Sequence, residues 1–210
     1  MAVAVEEQRR AVFAHLQPIM GQILPAGTNE QLLLNLLKGL HGVLSENATV
    51  QKHLGLCFDY VWFPFQYILT SISATRKLSG LPSQQPKQNA TLMPCLASSL
   101  VAERALQCVK RILELAAPPS LSSTLAILAQ LSELTHIDRQ CGNEQMMHDI
   151  LSSIYVLLKA VKHARWKENP QEMRVWAVTV GMLFHGLLGI IESERLGKGY
   201  GTLSLASGLC

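Results

Sequence analysis

The side chains of this sequence that could carry chemistry are five cysteines and seven histidines, and their spacing decides what they can do. The cysteines stand at 57, 95, 108, 141 and 210; none forms a C-x-x-C pair, and their number is odd. Such a set supplies neither a zinc site nor a disulfide framework. Scattered single cysteines behave as small buried hydrophobes, which points to a reducing compartment. The histidines, at 15, 41, 53, 136, 148, 163 and 185, never fall at metal-ligand spacing with another ligand. His148 and Asp149 come nearest to an acid–base pair. Neighbours on a helix point about 100° apart and do not converge, so the expectation there is a solvated helix start. G-x-S-x-G, H-E-x-x-H and a phosphate loop ending in Gly-Lys-Ser/Thr are all missing from the sequence. Gly197-Lys-Gly-Tyr-Gly201 imitates a ligand loop but precedes no helical pattern, and it reads as a tail. With no nucleophile–base pair in sight, the expectation is a non-enzymatic protein with no metal, cofactor or small-molecule substrate.

Charge narrows the partners further. The net charge of +3 is spread along the chain, whereas a nucleic-acid surface needs a clustered basic face. Lys159, Lys162, His163, Arg165 and Lys167 surround Trp166. They read as cations complementing a helix C-terminus in preference to a site for an acidic partner or a membrane surface. The N-terminus lacks the apolar core of a signal peptide, so Asn47-Ala-Thr49 and Asn89-Ala-Thr91 read as chance matches to the glycosylation pattern.

The elements that must position these residues are helices almost everywhere. Val5, Val12, Leu16, Ile19 and Ile23 outline a first helix bent near Pro18, which ends at Pro25-Ala-Gly-Thr-Asn29. Leu32, Leu33, Leu36, Leu37, Leu40 and Leu44 form a second stripe. A third helix is expected from about Thr49 to Ala74, interrupted at Pro64 and lined with Phe58, Trp62, Phe63 and Phe65 around the bend. Val101, Ala105, Cys108, Val109, Ile112, Leu113 and Ala116 share one face of a fourth. Leu121, Leu125, Leu128 and Leu131 mark a fifth. A sixth starts at Asn143 and buries Met147, Ile150, Leu151, Ile154, Leu158 and Val161. Asn169-Pro170-Gln171-Glu172 opens a seventh. Helix starts near 50, 98 and 143 repeat at the period of helix-pair solenoids. The expected fold is therefore an all-α, HEAT/armadillo-like solenoid of about seven helices, with an irregular bundle as the alternative. Residues 1–74 hold the first repeats, 75–97 a polar flexible loop, 98–192 further helix pairs and 193–210 an irregular tail.

Residues 175–191 contain no Asp, Glu, Lys or Arg. Seventeen residues sit at the short limit for a membrane span, so a membrane-associated protein with one span there is the alternative function. Burial is preferred, because the other helices are amphipathic. This last helix then has no following repeat to cover it, which suggests the N-terminal part of a longer array.

Two short elements carry a family likeness. Tyr60, Phe63 and Pro64 lie in Phe58-Asp-Tyr-Val-Trp-Phe-Pro-Phe65; Val101, Ala102, Glu103, Leu106 and Cys108 follow after the loop. This order resembles the N-terminal region of Tel-two-interacting protein one. That family carries a "Tyr-x-x-Phe-Pro-Leu" helix, a loop, then a helix of "Val-Ala-Glu-x-x-Leu-x-Cys-Leu" character. Phe65 and Val109 replace the final leucines here. The resemblance covers roughly residues 5–165. It implies a HEAT-repeat scaffold in the Triple-T cochaperone complex, with Tel-two and Tti-two subunits as partners. Working with the Hsp90 system, that complex supports folding and assembly of phosphatidylinositol-3-kinase-related kinases. The implied location is the cytoplasm, with the nucleus second. Members of the family are much longer than this chain.

Overall fold

The structure, a computed structural model, describes residues 2–79, 93–137, 144–161 and 170–192. Among these residues it is all-helical and has no strand. The helices are α1 (Ala2–Ile23), α2 (Glu30–Glu46), α3 (Ala48–His53), α4 (Phe58–Ser79), α5 (Ser99–Leu115), α6 (Leu121–Ile137), α7 (Glu144–Val161) and α8 (Pro170–Glu192). Short 3-10 turns stand at Pro25–Thr28, Leu54–Cys57 and Pro94–Ala97. The expected third helix is therefore two helices. It breaks at Leu54–Cys57 and not at Pro64, which lies inside α4. The expected loop at 75–97 is shorter at both ends, because α4 continues to Ser79 and Pro94 opens a turn. Residues 80–92, the caps Asn143 and Asn169, most of the basic run after Val161 and the tail 193–210 lie outside the described residues.

Contacts divide the chain into two compact units, residues 1–75 with 85–118 and residues 119–210 with 76–84. The division falls near Pro118 and not at the polar loop, because α5 packs on α2.

In the first unit α1 packs on α2 and α3. The oxygens of Asn29 and Asn47 accept the N–H groups of Leu32 and Val50, each at 3.0 Å, and so open α2 and α3. The core face of α2 is Leu33, Leu34, Leu37, Leu40 and Leu44. Of the expected stripe, Leu32 is exposed and Leu36 half-buried, while Leu34 turns inward. Every apolar position expected on the inner face of α5 is buried. Ser98, just before α5, makes no cap bond; its hydroxyl donates to Glu30 Oε1 at 2.7 Å and ties the start of α5 to the start of α2. Gly27 lets two turns meet: a Cβ there would lie 2.9 Å from Cγ of the buried Met93.

In the second unit α6 packs on both α7 and α8. A helix covered from two sides needs apolar residues on two faces, and Ile127 and Leu134 are buried along with Leu125, Leu128 and Leu131. The polar residues caught between turn back on their own helix. Thr124 donates to Ser120 O at 2.9 Å, Ser132 to Leu128 O at 2.7 Å and Thr135 to Ser132 O at 2.7 Å. On α7, Met147, Ile150, Leu151, Ile154 and Val161 are buried as expected; Leu158 is only half-buried.

α8 is buried on one side only. Leu183 and Leu187 face inward, while Val175, Val178, Met182, Phe184 and Leu188 are exposed. Among the described residues no helix is long and apolar enough to cross a membrane.

Candidate functional site

The aromatic helix α4 separates its rings onto two faces. Phe58, Trp62 and Phe65 are buried and stack in sequence, with ring centroids 5.8 Å and 6.3 Å apart. Residues three and four apart share a helix face, so this row joins the first unit's core. Phe63, expected in that core, stands instead on the opposite face, 51% exposed. It meets the exposed Tyr67 edge-on at 5.3 Å. Spacing explains the correction: Phe63 lies two residues from Phe65 and cannot share its face.

Phe63 borders a groove of about 550 Å³ within the first unit. One wall is the end of α1 and the following turn, with Met20, Gly21, Leu24 and Pro25. The other is the start of α4, with Asp59, Tyr60, Phe63 and Pro64. Tyr60 is held by Phe13 of α1, ring to ring at 4.6 Å. Burial pushes the Tyr60 phenol above its ordinary pKa, with Cys57 adding to the effect, so its O–H is a donor at neutral pH. Gly21 lines the groove, and a Cβ there would have nothing within 4 Å. Asp59 is the sole charged residue on the walls. An apolar trough with one polar donor and one carboxylate is suited to holding apolar side chains, and nothing in it pairs a nucleophile with a base.

Three of the motif residues, Tyr60, Phe63 and Pro64, thus meet at one surface. The other five do not join them. Val101, Ala102, Leu106 and Cys108 are buried in α5, and Glu103 is half-buried, accepting from Gln107 Nε2 at 3.4 Å. No local pattern marks Met20, Gly21, Leu24 and Pro25 as partners in the groove. Their only signal was the helix break at Pro25, which turns the chain at the groove's edge.

Cys108 has a structural task. It is fully buried and its thiol donates to Leu37 O at 3.3 Å, joining α5 to α2. Desolvation pushes its pKa up to about 12, outweighing the opposing pull of Arg104. A thiol-specific reagent should therefore leave Cys108 unmodified at neutral pH in the folded chain and modify it on unfolding; mass spectrometry of the labelled peptide reads this directly. The folded state holds this proton more tightly than the unfolded state, whose thiol titrates near 9.0. This contribution to stability is therefore complete below about pH 9 and is lost as pH rises towards 12.

The other chemical pair also differs from expectation. Asp149 is 1% exposed, not solvated, and its two oxygens each accept from Gln145 Nε2 at 3.3 Å. His148 Nδ1 comes within 3.7 Å of Asp149 Oδ1. Side-chain length brings the neighbours together where their Cβ directions diverge. Among the described residues, no three His, Cys, Asp or Glu side chains group as a metal site.

No family model matches this chain, and neither a curated protein nor a solved structure matches it, so the family likeness rests on the motif residues between Tyr60 and Cys108 alone.

Proposed function

We propose that this chain is a non-enzymatic, protein-binding helical scaffold of the HEAT-like kind, and that the groove between α1 and α4 is where it holds a partner. The observation that carries this reading is the surface placement of Tyr60, Phe63 and Pro64 along an apolar trough. Large aromatic side chains at the edge of a concave apolar surface are the usual anchors of protein recognition. The packing of α6 on both α7 and α8 supports the stacked-pair part of the reading, because solenoid helices pack on their own pair and on the next. In the terms of the resemblance, the partners are Tel-two and Tti-two subunits, and the role is cochaperone support for phosphatidylinositol-3-kinase-related kinases in the cytoplasm.

The test uses the groove's open glycine. Gly21→Leu fills the trough from α1 without touching the core, and it removes a helix-interior glycine. It should hold or raise stability, by up to about 1 kcal/mol, while abolishing co-purification of the tagged full-length chain with Tel-two and Tti-two subunits. Opposite signs for stability and binding are hard to obtain from a damaged fold. Recovery of general chaperones alone, equal for the parent chain and Gly21→Leu, would sink the proposal.

A further inference from the structure

We propose that the groove between α1 and α4 receives an arginine side chain of the partner, its guanidinium lying on the Phe63 ring and donating to the Asp59 carboxylate. This rests on the groove being the binding surface and adds the chemistry of what fills it.

Charge decides the sign of the occupant. Asp59 is the one charged residue on walls that are otherwise apolar or, at Tyr60, neutral. Its place in the first turn of α4 suits the helix dipole. Among the described residues, though, its carboxylate has no ion pair or hydrogen bond. An apolar or acidic segment seated in the groove would cover that carboxylate without a partner, which costs free energy. A segment that brings a cation does not.

Spacing selects arginine among the cations. Asp59 and Phe63 stand four apart on one helix, so their Cβ atoms are about 5–6 Å apart and one group can touch both. A guanidinium stacks its plane on the half-exposed ring and donates from its edge to the carboxylate. A lysine ammonium is more strongly hydrated and has no flat face to lay on the ring. The methylene stem of the arginine lies along Met20 and Leu24 of the facing wall. Tyr60, whose phenol stays protonated, offers its O–H to a main-chain carbonyl of the same segment. A small free cation is a poorer occupant. Ligand pockets enclose about 70–90% of what they bind, whereas Phe63 at the groove's edge is 51% exposed. A side chain anchored in a longer segment needs no such enclosure.

The experiment is selection of a displayed random-peptide library on the full-length chain, with Gly21→Leu as the counter-selection. The peptides recovered should carry an arginine beside apolar residues. A synthetic peptide of that sequence should bind the parent at least about tenfold tighter than Asp59→Asn, with circular dichroism unchanged between the two chains. Raising salt should weaken binding to the parent and leave binding to Asp59→Asn nearly unchanged. Asp59→Arg should lose the peptide and recover one in which glutamate replaces the arginine, which a damaged fold would not do. Peptides that Gly21→Leu excludes but that lack arginine overturn this inference and leave the groove reading standing. So do peptides that bind Asp59→Asn as tightly as the parent, or that bind equally well with lysine in place of arginine. Peptides that bind the parent and Gly21→Leu alike, or a selection that recovers none, overturn both.

Discussion

Phe65→Ala should destabilise the first unit by about 3–5 kcal/mol, whereas Phe63→Ala, two residues away, should cost less than about 1 kcal/mol. Phe65 has no exposed surface and is among the largest fully buried side chains described. Its ring lies against Trp62, which in turn stacks on Phe58. Truncation therefore removes one end of the stack and leaves a cavity that the two remaining rings cannot fill, since helical spacing fixes their positions. Phe63 loses little on truncation because half of it is in water already. Urea denaturation measures both, with Trp62 fluorescence reporting the first unit; Trp166 and Trp176, replaced by phenylalanine, are removed from the signal. Equal losses for the two variants would make Phe63 a core residue and take away the exposed edge on which the groove depends. The contrast also separates scaffold from function, because Phe63→Ala should weaken partner binding in a chain that is still folded.

That contrast shows what could be read along the chain and what could not. Most of the buried set of α5 was legible because its face against α2 leaves a helical stripe, while the buried Ala102 and Leu106 lie beside that stripe and were not placed on it. The start of α8 was legible from Pro170, whereas the caps Asn29 and Asn47 were passed over as a helix break and a chance glycosylation match. Packing on two sides erased the stripe on α6, so its second buried row was missed. On α4 the trouble was density: six aromatic residues between positions 58 and 67 leave no polar face to mark which rings are exposed. The pairing of Phe13 on α1 with Tyr60 on α4 comes from elsewhere in the chain, and no pattern within α4 marks it. The groove was illegible for the same reason, since it needs residues about 40 positions apart in sequence, and no local pattern records such a pairing. Asp149 was misplaced by a local rule as well. Adjacent helical residues diverge, but the burial of one of them depends on what packs from outside the helix.

Pro18→Ala should stabilise the first unit by about 2 kcal/mol, the reverse of the usual effect of a helix substitution. Pro18 lies inside α1 yet faces solvent, between the buried Leu16 and Met20. Its nitrogen has no hydrogen to offer the carbonyl of Ala14, and its ring crowds that carbonyl. An interior proline costs about 3 kcal/mol relative to alanine. Roughly 1 kcal/mol of that gain is given back, because alanine leaves the unfolded chain freer. The side-chain bond from Gln22 Nε2 to Pro18 O, at 2.9 Å, uses the backbone carbonyl and survives the change. Pro64 does not offer the same gain: it is buried and forms part of the groove wall, so Pro64→Ala restores a helical bond only by opening a void. A Pro18→Ala chain that is less stable than the parent would show that α1 depends on its proline to aim Met20 and Ile23 at the core. The end of α1 that forms one wall of the groove would then be positioned by that residue, and the substitution should weaken partner binding together with stability.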